Sequence, residues 1–282
     1  MAILRCIECE EEYPLEKIRY RCECGALLEV VHDLAGLEVS RELFDSRLGS
    51  LKWPYISGVW RYKELIMPDI PNSQIVSRPE GNTNLYCSAR ISKYVNHDNL
   101  CLKHEGENPT GSFKDRGMTG GMTAAKMLGA KVVACASTGN TSASMAAYAA
   151  MAGMRAVVFI PEGKIAFGKL AQAIAYGARV IQIEGDFDDA MALVQEASVE
   201  LGMYLLNSIN PFRIEGQKAI GIEALQQMGW EAPDWFVLPG GNLGNSTALG
   251  KALMELNELG LIDKIPKIAV IQAEGANPFY EY

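Results

Sequence analysis

Val132-Val133-Ala134-Cys135-Ala136 runs directly into Ser137-Thr138-Gly139-Asn140-Thr141-Ser142 and then into an alanine-rich segment ending at Met151. The apolar run reads as a buried strand, the glycine and hydroxyl cluster as a turn, and the segment after it has helix length. The unit recurs along the chain. Apolar runs stand at Ala156 to Ile160, Arg179 to Ile183, Trp235 to Leu238 and Ile268 to Ile271, interleaved with helix-length stretches at Ala166 to Tyr176, Asp186 to Leu201, Arg213 to Met228 and Asn245 to Leu259. This alternation predicts the α/β class, with mostly parallel sheets covered on both faces. Gly129, Gly153 and Gly177 each close a helix before the next strand, where a left-handed glycine cap is expected.

Two further turns have the same make-up, and three such turns at helix starts predict one site. Pro109-Thr110-Gly111-Ser112-Phe113-Lys114-Asp115-Arg116-Gly117 places a lysine just ahead of a helix. A lone lysine is ordinarily a solvated surface charge, but one desolvated on such a turn loses its charge readily and serves as a Schiff-base nucleophile. In Pro239-Gly240-Gly241-Asn242-Leu243-Gly244-Asn245-Ser246-Thr247 the backbone amides and the helix dipole converge, which suits an anion, above all a phosphate. Gly240, Gly241 and Gly244 do not fit the dinucleotide fingerprint, and Asn245 stands where a Walker loop begun at Gly240 needs its second glycine.

In the Ser137 turn, Thr141 or Ser142 reads as a helix N-cap, and Asn140 as a neutral donor for a carboxylate or phenolate oxygen. Asp115 and Arg116 read alone as an ion pair at a helix start. Gly117, Gly120 and Gly121 cost the helix about 1 kcal/mol each, in return for close packing or room for a ring. No acid pair, catalytic cysteine or Ser/His/Asp order is recognisable, and His104 beside Glu105 reads as structural or surface.

The chain has 282 residues, 49% hydrophobic and 21% charged, with a net charge of −8. That balance gives a sizeable core and no basic stripe for nucleic acid. No apolar run reaches membrane-spanning length, and the opening residues lack a secretory pattern, so a cytoplasmic protein is expected. Cys87, Cys101 and Cys135 are expected as reduced, buried small side chains. Cys6, Cys9, Cys22 and Cys24 instead form two knuckles, Cys-x2-Cys and Cys-x-Cys-Gly, in a segment too short for its own core. Four thiolates around a structural Zn²⁺ would staple it, although the one-residue spacer of Cys22-Glu23-Cys24 is shorter than usual. The alternative is four thiols without metal.

The string Glu107-Asn108-Pro109-Thr110-Gly111-Ser112-Phe113-Lys114-Asp115-Arg116-Gly117 closely resembles the cofactor-lysine motif of the threonine synthase family, pyridoxal-phosphate enzymes of the tryptophan synthase β-subunit fold. The resemblance extends over nearly the whole chain. It takes in the cysteine knuckles, Glu80-Gly81-Asn82-Thr83, the Ser137 turn, Gly168 to Gln172, Asn207 to Pro211 with Arg213, and Gly241 to Asn245. It implies that Lys114 holds the cofactor as an imine and then moves protons, that Phe113 flanks the ring, that Asn140 meets its phenolic oxygen, and that Gly240, Gly241, Asn242, Leu243, Gly244 and Asn245 hold its phosphate. Thr83, Ser137, Thr138, Thr141, Lys169, Ser208 and Asn245 are implied to contact the substrate.

The reaction implied is that of a carbon-oxygen lyase, in which O-phosphohomoserine and water give threonine and phosphate. A homodimer is implied too, with two α/β domains around a cofactor crevice. The domains expected are a knuckle at 1–32, a large domain from 33–95 and 202–282, and a small one at 96–201. Alternatives are a sister enzyme, cysteate synthase or a threonine/serine dehydratase, or a truncated non-catalytic homologue. Asn84 departs from the Pro-Leu that commonly follows the threonine in relatives. Family members also run on past the point matching Tyr282 to a residue that bonds the pyridine nitrogen, so a chain ending there is expected to bind the cofactor weakly and to have an incomplete sheet.

Overall fold

The computed structural model describes residues 2–163 and 167–282. At the start of the chain, β1 (Ile3–Cys6) pairs antiparallel with β2 (Glu12–Pro14) and with β3 (Leu28–Val31). Alternation along β1 and β3 turns Leu4, Cys6, Leu28 and Val30 inward. The following segment, with α1 (Arg41–Asp45) and α2 (Lys63–Ile66), wraps the body and also supplies core, burying Phe44, Trp60, Tyr62 and Ile66.

β4 (Leu85–Cys87), α3 (Ala89–Val95) and β5 (Cys101–Lys103) form an antiparallel ribbon in which Cys87 stands directly opposite Cys101. The two are joined as a disulfide, which corrects the expectation of buried free thiols. Register, not spacing, decides this, since cross-strand neighbours bring their Cβ atoms within bridging range. Cys135 is buried as expected, and burial pushes its thiol up to about 12.

From α4 (Lys114–Met127) the alternation holds: β6 (Val132–Ala136), α5 (Asn140–Ala152), β7 (Arg155–Pro161), α6 (Phe167–Ala175), β8 (Arg179–Ile183), α7 (Phe187–Glu200) and β9 (Tyr204–Leu205). The expected start of α6 at Ala166 lies outside the described residues. Then come α8 (Pro211–Gln227), β10 (Trp235–Pro239), α9 (Gly244–Glu258), β11 (Lys267–Ile271) and α10 (Pro278–Glu281). β8-β7-β6-β9 form one parallel sheet, and β10 with β11 a second. Gly129, Gly153 and Gly177 all take positive φ, as their cap positions require.

Alternate residues of β6 and β7 go to opposite faces. Val133, Cys135, Val158 and Ile160 join Met145 and Tyr148 of α5 in one core, while Ala134, Ala136 and Phe159 join Ala190 and Val194 of α7 in another. Helices therefore cover this sheet on both sides. β9, from the stretch 202–282 expected in the large domain, pairs with β6 at its edge.

Three glycines of α4 settle what their smallness is for. A Cβ on Gly117 would lie 2.9 Å from the Arg213 carbonyl oxygen, one on Gly120 2.6 Å from that of Phe212, and one on Gly121 2.7 Å from Leu206. The small faces let α4 and α8 pack backbone to backbone, which carries Arg213 and Gln217 up beside Lys114.

Candidate active site

Lys114 is the first residue of α4, and its amine lies 4.2 Å from the centroid of the Phe113 ring. The amine has no carboxylate or hydrogen-bond partner among the described residues, while the backbone N–H donates to Ser112 Oγ at 3.4 Å. Burial, and secondarily the nearby charge of Arg213, hold the amine at about 8 instead of 10.5. Arg213 is itself buried, and desolvation pulls its guanidinium down to about 10. It donates to the Leu206 carbonyl at 3.0 Å, while its Nε has no partner.

Lys114 opens into a cavity of about 190 Å³ with Phe113, Ser208, Arg213, Gln217 and the loop Gly241 to Asn245. The lysine turn and the glycine turn, some 130 residues apart in sequence, thus share one pocket. The loop enters α9 through Leu243 in the left-handed region, with no side chain capping the helix. The Gly244 N–H donates to the Asn242 carbonyl at 2.8 Å, and the other first-turn amides at the positive end of this 15-residue helix have no side-chain cap, an arrangement that suits an anion. Gly240 stands behind the pocket wall, where a Cβ would come 2.4 Å from Val270. The Ser246 hydroxyl, in the first turn of α9, is buried without a partner.

The Ser137 turn does not line this cavity. It enters α5 through Gly139, which provides no side-chain cap, so Thr141 and Ser142 are not the N-cap; they lie in the first turn, where Ser142 donates to the Gly139 carbonyl at 2.8 Å. Asn140 is the first helical residue, and its amide oxygen is buried without a partner. Asp115 ties the two helices together: it accepts from Thr110 Oγ1 at 2.6 Å and from Ser144 of α5 at 2.5 Å. Lys169 reaches the Thr110 carbonyl at 3.0 Å.

Asp115 and Arg116 do not pair with each other. Arg116 bonds Glu105 at 2.7 Å and Glu223 at 2.9 Å, and Glu223 also takes Lys103 at 2.5 Å. The Glu80 to Thr83 loop is built onto this cluster. The Asn82 and Thr83 amides donate to Glu223 at 2.8 and 3.0 Å, and the Thr83 hydroxyl lies 2.8 Å from Glu105 and 3.1 Å from Arg116. Thr83 is therefore buried in an ion network and not at the pocket wall. Glu80 anchors the other end through Ser57, Ser77 and Tyr148, and burial raises its carboxyl. Asn84 donates its backbone N–H to Glu107 at 2.6 Å, a bond that a proline there could not make.

The four cysteines converge: their sulfurs all lie within 4.8 Å of one another. The Glu8 and Cys9 amides each donate to Cys6 Sγ at 3.5 Å, and Tyr13 Oη lies 3.1 Å from Cys22 Sγ. Such donors favour the thiolate at Cys22, which the Tyr13 hydroxyl foremost brings down to about 6, whereas at Cys9, despite the Glu11 amide, hydrogen bonds with Cys22 and Cys6 push the thiol up to about 12. The one-residue spacer between Cys22 and Cys24 does not prevent convergence.

Sequence reasoning assigned no role to Arg213, Ile214 or Gln217 in the pocket wall. Their signal was the packing of α8 on the α4 glycines, which local pattern does not reveal.

Residues 76–282 match the family model for pyridoxal-phosphate dependent enzymes. The chain is 50% identical over 277 residues to threonine synthase from Methanocaldococcus jannaschii, which covers 98% of this chain and 67% of that protein. It is 48% identical over 281 residues to the chloroplastic threonine synthase 2 of Arabidopsis thaliana, covering 96% of this chain and 54% of the relative. The chain thus spans between about half and two thirds of the length of these relatives. Maize serine racemase superposes with a TM-score of 0.62 at 22% identity, over 78% of this chain and 61% of that one, a likeness of fold.

Proposed function

This chain belongs to the pyridoxal-phosphate dependent enzyme family, and on that footing we propose that it acts as a threonine synthase, a lyase that takes O-phosphohomoserine and water to threonine and phosphate. The observation that carries the reading is one pocket shared by Lys114, with its amine near 8, and the uncapped start of α9. The choice of substrate rests on the likeness to threonine synthases.

The residues fit pyridoxal phosphate. Gly240 to Asn245 and the first amides of α9 would hold its phosphate, Lys114 would attach it and Phe113 would flank the ring, while the Ser246 hydroxyl in the first turn of α9 is a buried polar atom without a partner. Asn140, whose turn does not line the cavity, is proposed to meet the phenolic oxygen. When bound, the cofactor supplies an electron sink for charge developing on the substrate carbons.

The chain's own residues supply the rest. An amine near 8 exchanges its proton close to neutral pH, which suits Lys114 to work as both acid and base. Arg213 keeps the pocket wall positive and draws in a doubly anionic ligand. Ser208 and Asn245, together with Ser137, Thr138, Thr141 and Lys169, are proposed to orient the substrate carboxylate and phosphate. Thr83 is proposed to act through the Arg116 network that fixes its loop.

Cys6, Cys9, Cys22 and Cys24 are proposed to hold a structural Zn²⁺, since four converging thiols with amide donors are a donor set zinc favours. A cytoplasmic homodimer follows the family resemblance; light scattering tests the dimer. The substrate assignment is tested by phosphate release from O-phosphohomoserine against release from O-phosphoserine with sulfite. Release from the second alone moves the chain to a cysteate-forming role.

A further inference from the structure

We infer that a zinc ion held by Cys6, Cys9, Cys22 and Cys24 positions Tyr20, and that the Tyr20 hydroxyl in turn fastens the edge strand leading into Ser208. This rests on the zinc reading above and extends it from stapling the amino-terminal segment to ordering the catalytic pocket.

Tyr20 lies in irregular backbone between β2 and β3, two residues before Cys22. Its ring packs edge-on against Tyr204 of β9, with centroids 5.9 Å apart, and its hydroxyl accepts from the Leu205 N–H at 2.7 Å. β9 is only two residues long and pairs with β6 on one side alone. On its outer edge the Leu205 amide has Tyr20 as its acceptor, so the hydroxyl takes the place of a further strand.

The consequences run three residues down the chain. The Leu205 carbonyl accepts from Asn210 Nδ2 at 2.8 Å, and the Leu206 carbonyl from Arg213 at 3.0 Å. The Asn207 side chain bonds both backbone groups of Ala136, each at 2.9 Å, next to the Ser137 turn. Ser208 then lines the pocket with Lys114. A shift of β9 at Leu205 would therefore reach Ser208, Arg213 and the Ser137 turn together.

Tyr20 packs against Tyr204 and the second core, and the thiol cluster that Cys22 joins two residues on fixes the backbone that presents it. The amino-terminal sheet has strands of four, three and four residues, and the stretch from Tyr20 to Gly25 contains two of the four cysteines, Cys22 and Cys24. Without a metal the four sulfurs meet through weak thiol contacts such as that of Cys9 with Cys22 at 3.4 Å, backed by the Glu8 and Cys9 amides and the Tyr13 hydroxyl; a metal would bond all four directly.

The test is hydrogen exchange at the Leu205 amide in the purified protein, with metal content followed by elemental analysis. Removing zinc with a chelator should speed exchange at Leu205 about fivefold, the worth of one hydrogen bond, while central amides of β7 stay unchanged. Tyr20→Phe, which keeps the ring, should give the same acceleration with zinc still bound, and chelation of that variant should add nothing at Leu205. Loss of zinc with no change at Leu205 would overturn the inference and leave the zinc reading standing, as would a Tyr20→Phe protein with wild-type protection. A protein that carries no zinc and takes up none on titration would overturn both.

Discussion

The Arg116 guanidinium meets Glu223 Oε1 at 2.9 Å, with both side chains closed off from solvent. Glu223 also accepts the amides of Asn82 and Thr83, so a helix that starts at Lys114 and the loop that starts at Glu80 are held by one carboxylate. Burial alone would raise that carboxyl, but Arg116 and Lys103 hold it down to about 2.

Glu223→Gln leaves Arg61, Lys103 and Arg116 with Glu105 as the remaining acid in the cluster. The expected cost is about 3–5 kcal/mol, the usual result of stranding a buried charge, read by denaturant unfolding. The sign with pH follows from the lowered value. The wild-type protein keeps this stabilisation above the ordinary 4.5 and loses it as pH falls through about 2, whereas the variant should lack that acid-side loss. A variant as stable as wild type would show the cluster to be dispensable.

Gly216 of α8 sets two physical effects against each other. Helix propensity alone would make Gly216→Ala stabilising by about 1 kcal/mol. A Cβ there would stand 2.0 Å from the Arg116 carbonyl oxygen, in rigid backbone. Overpacking should win, destabilising by about 1–3 kcal/mol and moving Arg213 and Gln217 away from Lys114. Thermal unfolding with cofactor-retention measurements on the same samples checks both; a more stable, cofactor-retaining variant would refute the close-packing account.

Lys114 should react as an amine out of its usual range. Held at about 8, it releases its proton between roughly pH 7 and 9, where an ordinary lysine at 10.5 stays charged. The rate of cofactor capture should climb through pH 8 and level off above it. Because the folded value lies below the unfolded one, this group costs stability at neutral pH, and the cost fades as pH rises toward 10.5. A capture rate still climbing steeply beyond pH 10 would mean an unperturbed lysine.

Reducing the Cys87–Cys101 bridge frees the ribbon that links Thr83 to Lys103 and Glu105. Closing a 14-residue separation is worth about 3 kcal/mol in chain entropy. Cys101→Ser should lower unfolding stability by a similar amount, and a reductant should do the same to wild type but nothing further to the variant. Equal stability of all three samples would mean that the bridge does not form in solution.

Much of the fold is legible in the sequence because its signals are local. β6, β7, β8, β10 and β11 announce themselves as short apolar runs, and Gly129, Gly153 and Gly177 by their place after helices. Lys114 and the Gly241 to Asn245 turn are visible for the same reason. What escaped is long-range: Arg116 choosing Glu105 and Glu223 over its neighbour Asp115, β9 joining β6, and Cys87 facing Cys101. Each depends on register or on helix packing between segments far apart in the chain. The Arg213 and Gln217 wall followed from three α4 glycines whose partners the sequence does not name.

The most direct test of the account is borohydride reduction of the protein mixed with pyridoxal phosphate, followed by intact mass and peptide mapping. The account predicts one reduced cofactor per chain, all of it on the Lys114 peptide, and none in Lys114→Ala. Label on another lysine, or an undiminished yield in Lys114→Ala, would contradict it.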